Sequence, residues 1–353
     1  MRIAFVVSYL ELTGGHRAVV EIGNRLARRG HDVLLVYPAR SIPSRRNDLL
    51  RRLGPLAPEA AFVHNGSRLD WADFAGTIVR VPELDDRYVP DADVVVATAW
   101  QTAERVARLG SGKGSKVYFI QHYETWSGPE ARVDATWRAP FTRVASSEWL
   151  RRLGRERFGI DDVHVVPYGV DLEAFHPGPR SDGDGLRVGL LHHLDDWKGV
   201  AGTVEAVRRL RREGLDVRLA AFGAFADRGP LPADAELHVL PSRDELRRFY
   251  TSLDVFVCGS WSETGPMTVP EAMACGVCVV STDVGNVSLW TNGGEGAFVV
   301  PPCDVDALTT ALRTALTDPA ERTRRAQRGR DLIQPFTWER AADQFECILR
   351  SAA

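Results

Sequence analysis

Two glutamates, Glu263 and Glu271, stand with seven residues between them in DVFVCGSWSETGPMTVPEAMACGVCVVS, the stretch from Asp254 to Ser281. An apolar run, Val255 to Val257, reads as a buried strand opening into a loop that carries Glu263. Thr268-Val-Pro-Glu271 then reads as a helix start, with Thr268 as the cap and Pro270 in the first turn. Backbone N–H groups beside a helix N-terminus favour phosphate. Carboxylates that accept from sugar hydroxyls, next to such amides, suit a sugar nucleotide. Two plainer readings stand beside this one: Glu271 completing a capping box, and Glu263 as a solvated loop acid.

Other chemistry-bearing residues fall at the ends of expected strands. KVYFI, Lys116 to Ile120, delivers His122 and Glu124 at its C-terminal end, where open parallel sheets bind ligands. There His122 could hydrogen-bond a sugar or an acceptor, with Glu124 orienting it; a satisfied structural histidine is the alternative. Lys198, between the strand Arg187–Leu191 and the helix Val200–Arg212, is placed to meet a diphosphate or simply to sit in water. Gly14 and Gly15, between the strand Ile3–Val7 and a helix from His16 to Arg29, would let a ligand approach the backbone, or merely make a tight turn.

The elements that must hold these residues alternate strand and helix along the chain. Further strands are expected at Val33–Tyr37, Ile78–Val81, Val94–Ala97, Arg143–Ser147, Val163–Tyr168, Val217–Phe222, Leu237–Leu240, Val277–Val280 and Ala297–Val300. Helices are expected over 101–109, 148–158, 244–253, 305–316, 319–333 and 338–350. The alternation predicts an α/β fold with parallel sheets. Ser41 to Asp73 is rich in Arg and Pro and suggests only a helix near Asn47–Leu53. Gly178 to Gly185 has the composition of a linker.

At 353 residues the chain is long enough for two domains, and its 44% apolar and 26% charged content is that of a globular protein. A net charge of −3 gives no reason to expect nucleic acid as a partner. No apolar run approaches the ~18 residues of a membrane span, and Met1 to Leu10 reads as a first strand rather than a signal peptide. Five cysteines make no disulfide framework, which points to a cytoplasmic setting. Cys275 and Cys278 are spaced as C-x-x-C, yet one ends a helix and the other lies in a strand, so no metal site is expected. Arginine pairs such as Arg28-Arg29 and Arg151-Arg152 read as solvated helix faces, and the mixed charge around them argues against a membrane anchor.

ETGPMTVPEAMACG resembles the paired-glutamate signature of glycosyltransferase family 4, a group of retaining enzymes. TGGHRAVVEIGNRLARRGHDV, the boundary-like PYGVDLEAFHP and the Lys198-Gly199 step extend the likeness along nearly the whole chain. YFIQHYETW is similar to a branch that includes rhamnosyltransferases. The resemblance implies a GT-B fold: two Rossmann-like domains facing each other across a cleft, residues 1–178 on the acceptor side and 179–335 on the donor side, with a helix from 336–353 crossing back.

It implies transfer of a hexose or deoxyhexose from a nucleoside-diphosphate sugar to a hydroxyl acceptor, with neither cofactor nor metal required. Glu271 would bind the ribose and Glu263 a sugar hydroxyl. Lys198, the amides near Gly265 and Met267, and Gly15 would face the diphosphate. Gly14 and Thr268 would complete the donor site, and His122 would position the sugar or help polarise the acceptor. Two departures stand out. His193 occupies the position where the family usually has arginine, five residues before the lysine, and Pro266 removes an N–H from the glutamate loop. They leave room for a sugar-nucleotide epimerase, a non-catalytic sugar-nucleotide binder, or a plain two-domain scaffold.

Overall fold

The computed structural model describes residues 1–39, 68, 69, 71–179 and 185–353. Contacts divide these into two compact units, Met1–Pro167 with Trp338–Ala353, and Tyr168–Thr337. The expected helix at Asn47–Leu53, the pairs Arg45-Arg46 and Arg51-Arg52, and the middle of the Gly178–Gly185 linker lie outside the described residues.

The first unit is built on a parallel sheet of seven strands in the order β5-β2-β1-β6-β7-β8-β9. β1 is Arg2–Val6, β2 Asp32–Pro38, β5 Thr77–Val81, β6 Val94–Ala97, β7 Ser115–Ile120, β8 Thr142–Ala145 and β9 Val163–Val165. A short antiparallel pair, β3 (Arg68–Leu69) and β4 (Ala72–Asp73), stands apart from it. The central strands bury both faces, so they read as unbroken apolar runs. The helices are α1 (Gly14–Arg28), α2 (Trp100–Val106), α3 (Glu130–Arg138) and α4 (Glu148–Phe158).

The second unit repeats the plan with six parallel strands, β12-β11-β10-β13-β14-β15. They are β10 (Leu186–His192), β11 (Val217–Gly223), β12 (Glu236–Val239), β13 (Val255–Cys258), β14 (Cys278–Thr282) and β15 (Phe298–Val300). Its helices are α5 (Val200–Arg212), α6 (Arg243–Thr251), α7 (Thr268–Ala274), α8 (Val287–Thr291), α9 (Val305–Thr317) and α10 (Pro319–Ile333). Residues 168–178, grouped with the N-terminal half on composition, pack within this unit. The Val170 N–H donates to the Phe336 carbonyl at 2.8 Å, and the Phe175 ring meets Tyr250 edge-on at 6.0 Å.

The last helix, α11 (Trp338–Ala352), packs on α1. Phe345 inserts between Phe5 and Phe119, with ring centroids 5.9 and 5.1 Å away. Ion pairs line its edge: Arg25 with Glu339 at 2.7 Å, Arg29 with Asp343 at 2.7 Å, and His31 with Glu346 at 3.0 Å. The return of the C-terminal helix to the N-terminal region is thus an amphipathic packing, with an apolar stripe inward and charge at its margin.

Both sheets change winding direction between two adjacent strands, β1 and β6 in the first and β10 and β13 in the second. At such a point neighbouring loops leave in opposite directions and open a crevice at the strands' C-terminal ends. The loops after β10 and β13 are the ones that carry Lys198 and Glu263.

No described helix is long and apolar enough to cross a membrane.

Candidate active site

In the second unit the chain leaves β10 through a single 3-10 turn, Asp196–Lys198, and enters α5 at Gly199. Gly199 has a φ of +66°, and a β-carbon there would stand 1.8 Å from the Gly259 carbonyl oxygen of the β13 loop. The two loops are therefore in backbone contact, which only glycine allows. The Trp261 N–H donates to the Trp197 carbonyl at 2.7 Å and ties them further. That contact delivers Lys198 to Glu263: Nζ donates to Oε1 at 2.6 Å, and the Ser260 hydroxyl donates to the same oxygen at 3.1 Å. Both side chains are largely covered, at 20% and 15% exposure, so water screens the pair less than a surface ion pair.

Glu271 is buried on α7, and its Oε2 accepts from the Tyr250 hydroxyl at 3.0 Å. Its side chain is thereby directed to α6, so the capping-box reading does not describe it. Thr268 is not the helix cap either. Met267 takes that position with helical backbone angles, φ −56° and ψ −22°, and no side-chain cap bond is made. The Val269 N–H instead donates to the Pro266 carbonyl at 2.9 Å, tightening the entry so that Thr268 is already the first helical residue. Gly265 is enclosed: a β-carbon there would approach the Tyr168 ring to 2.8 Å.

His193, at the end of β10, accepts the Asp195 N–H on Nδ1 at 3.1 Å, with the Asp195 carboxylate 3.5 Å away. Its ring stands edge-on to Phe225 at 5.2 Å. An acceptor Nδ1 places the neutral ring's proton on Nε2, leaving that nitrogen as a donor.

In the first unit, Gly14 and Gly15 are the opening residues of α1 rather than a loop before it. Thr13 caps the helix by accepting the His16 N–H at 3.1 Å. Gln121, whose Nε2 donates to the Thr98 carbonyl at 3.2 Å, lies over Gly15, and its Oε1 is 3.1 Å from where a β-carbon would be. His122 stands edge-on to Trp126 at 4.4 Å and to Trp149 at 5.5 Å, an aromatic setting the sequence reading did not foresee.

Glu124 accepts the Trp100 N–H at the start of α2, at 2.9 Å. This carboxylate is directed to the helix terminus, not to His122 as expected. Burial pushes it up to about 7, only partly offset by the Trp100 bond, against 4.5 in the unfolded chain. Between those pH values the folded chain holds a proton that the unfolded chain has lost. Stability therefore falls as pH rises through this window. Glu124→Gln keeps an acceptor for Trp100 without the charge. It is expected to raise the unfolding temperature by several degrees at pH 8 and to make little difference at pH 5 (~1–3 kcal/mol at most). Equal effects at both pH values in thermal unfolding would contradict this.

The structure thus pairs Lys198 with Glu263 and turns Glu271 onto Tyr250. His193, Gly265, Met267 and Thr268 belong to the same unit, and Gly14, Gly15 and His122 belong to the first. Tyr250 and Ser260 were missed in the sequence. No spacing rule links either to a glutamate, although Ser260 closes the apolar run of β13. Cys275 ends α7 and Cys278 begins β14, and burial pushes the Cys278 thiol up to about 12. Among the described residues, no three His, Cys, Asp or Glu side chains gather as metal ligands.

Two family models match consecutive parts of the chain: Glycosyltransferase Family 4 over residues 12–174 and Glycosyl transferases group 1 over residues 185–318. The chain belongs to glycosyltransferase family 4. Among curated members of that family, MMP alpha-(1->4)-mannosyltransferase from Mycolicibacterium hassiacum is 32% identical over 204 residues, covering 54% of this chain and 49% of that protein. The first curated relatives are matched over about half their length or less. GDP-mannose-dependent alpha-(1-6)-phosphatidylinositol dimannoside mannosyltransferase from Mycobacterium tuberculosis is 25% identical, over 100% of this chain and 97% of its own. Sucrose-phosphate synthase from Thermosynechococcus elongatus superposes with a TM-score of 0.77 at 18% identity, covering 99% of this chain and 98% of its own. HepE from Anabaena, solved with UDP-glucose, gives 0.75 at 16% identity, over 99% and 100%. At such identities the likeness establishes the fold, which is GT-B.

Proposed function

We propose that this family 4 member transfers a hexosyl or deoxyhexosyl group, with retention, from a nucleoside-diphosphate sugar to a hydroxyl acceptor. One observation carries the reading: at the winding switch of the second sheet, a largely covered lysine is held 2.6 Å from the first of the two paired glutamates. A cation for a diphosphate and a carboxylate for a sugar hydroxyl are thus placed within one ligand's reach. In the proposed step the bond from C1 to the diphosphate oxygen breaks and a bond from C1 to the acceptor oxygen forms. The acceptor's proton ends on the departing diphosphate. Lys198, the amides near Gly265 and Met267, and the donor nitrogen of His193 counter the charge that grows there. Glu263 holds a sugar hydroxyl, while Glu271, with Thr268 beside it, takes the ribose. His122, with Gly14 and Gly15, serves the transferred sugar or the acceptor.

The names of the relatives support a mannosyl or related glycosyl donor, and the UDP-glucose in HepE supports a nucleoside-diphosphate sugar more generally. The test incubates the protein with GDP-mannose, UDP-glucose and dTDP-rhamnose and a panel of polyol and saccharide acceptors, reading the product by NMR. The proposal expects one donor to yield a glycoside with its C1 configuration kept. An epimerised donor without acceptor, or binding without turnover of any donor, would replace it with the epimerase or the binder.

A further inference from the structure

The paired glutamates are held differently. Glu263 takes its partners from polar loop residues, whereas Glu271 is 3% exposed and its neighbour Tyr250 is fully buried. Tyr250 stands on α6 inside a box of aromatic rings. Phe256 is 5.3 Å away and Phe222 is 5.7 Å away, both edge-on, with Phe249 and Phe175 each at 6.0 Å. Rings so packed fix the Tyr250 plane, and its hydroxyl reaches Glu271 Oε2 at 3.0 Å. A phenylalanine would fill the box as well, as it does at the four neighbouring positions. The hydroxyl therefore answers a need of Glu271 rather than of packing.

That need is chemical. The backbone of α7 fixes where Glu271 starts: its N–H donates to the Met267 carbonyl at 3.2 Å, and its own carbonyl accepts from Cys275 at 3.0 Å. Nothing in the helix fixes where the carboxylate ends. Burial favours the neutral acid, and a protonated carboxyl turns one of its acceptor oxygens into a donor. A hydroxyl that donates to the ionised form opposes this and selects one rotamer.

We propose that Tyr250 is a positioning residue: it holds one oxygen of Glu271 so that the carboxylate meets the ribose diol of a nucleoside diphosphate ionised and correctly turned. This rests on the reading of Glu271 as the ribose acceptor. A carboxylate has about four acceptor sites, so one bond to Tyr250 leaves the group able to serve a diol.

The experiment titrates UDP and GDP by calorimetry from pH 5 to 8 into the parent, Tyr250→Phe, Glu271→Gln and the double variant, with thermal unfolding of each. Donor turnover is measured alongside. For Tyr250→Phe we expect the dissociation constant of the favoured nucleotide to rise about tenfold at pH 7.5, roughly what a charge-assisted hydrogen bond confers. The acid limb of binding should move to higher pH, because the ionised form has lost its donor. KM for the donor should rise with it while kcat falls less, and adding Tyr250→Phe to Glu271→Gln should change binding little further. Unchanged affinity and acid limb in Tyr250→Phe would overturn the inference. So would a loss of equal size in the Gln background, which would mark Tyr250 as structural only. If Glu271→Gln binds both nucleotides like the parent, the reading of Glu271 itself fails, and that outcome is distinct from the other two.

Discussion

Lys198→Ala lowers donor turnover by about 10²–10³-fold at saturating donor, the usual effect of removing a donor aimed at a departing oxyanion. The loss follows from where the lysine stands. Gly199 locks the 3-10 turn against the β13 loop, and the ammonium meets Glu263 at 2.6 Å with both groups largely out of water. In such surroundings a charge acts more strongly than at an open surface. Removing it also leaves the Glu263 carboxylate without its cation, which repels an incoming diphosphate. Affinity for the nucleoside diphosphate should therefore fall as well, by about tenfold. Glu263→Gln separates the two roles: it spares the cation, so nucleoside-diphosphate affinity should hold while turnover of the sugar drops. Steady-state release of the nucleoside diphosphate, with calorimetric binding, reads both. Parent-like turnover in Lys198→Ala would remove the lysine from the mechanism.

The second large effect is on stability. Gly199→Ala places a β-carbon 1.8 Å from the Gly259 carbonyl oxygen at a φ of +66°. No side-chain adjustment relieves a clash with backbone, so the loops after β10 and β13 must part. The Trp261–Trp197 bond and the Lys198–Glu263 pair part with them. We expect a loss of roughly 3–5 kcal/mol, in the range of the most disruptive single substitutions, together with loss of turnover. Gly30→Ala is the control. Its φ is +87°, but nothing lies within 4 Å of its new β-carbon, so it should cost only about 1 kcal/mol. The difference between their urea unfolding midpoints isolates the contact. Equal midpoints would mean that the loops are not held together as described.

The fold was largely legible because the strands at the centre of each sheet are buried on both faces and appear as short apolar runs. The helices between them carry clear amphipathic stripes, and α4, α5 and α10 begin and end where periodicity places them. Two helices escaped this reading for physical reasons. In α3, EARVDATWR, only Val133, Thr136 and Trp137 are buried, so no stripe stands out. α8 is five residues long and ends on Asn292 in a left-handed conformation, so its surroundings read as turns.

The site was legible in its members but not in its pairings. Lys198 and Glu263 lie 65 residues apart, and Tyr250 and Glu271 lie 21 apart. Sheet topology joins them, and sequence distance carries no trace of it. Glu124 shows the opposite error: its nearness in sequence to His122 suggested a contact, while the N–H groups at the start of α2 offered its carboxylate a better partner. Thr268 likewise has the composition of a cap, but Met267 already adopts helical angles and displaces it.

The most direct measurement is a thermal-shift panel with UDP, GDP, dTDP, ADP and CMP on the parent and on Glu271→Ala. A ligand that binds only the folded state stabilises it by roughly 2.7 kcal/mol at about 100 times its dissociation constant, enough to read as a shift. The account predicts that one nucleoside diphosphate raises the unfolding temperature of the parent and that Glu271→Ala, measured against its own baseline, loses that shift. No shift with any of the five, or the same shift in both proteins, would contradict a donor site built on the paired glutamates.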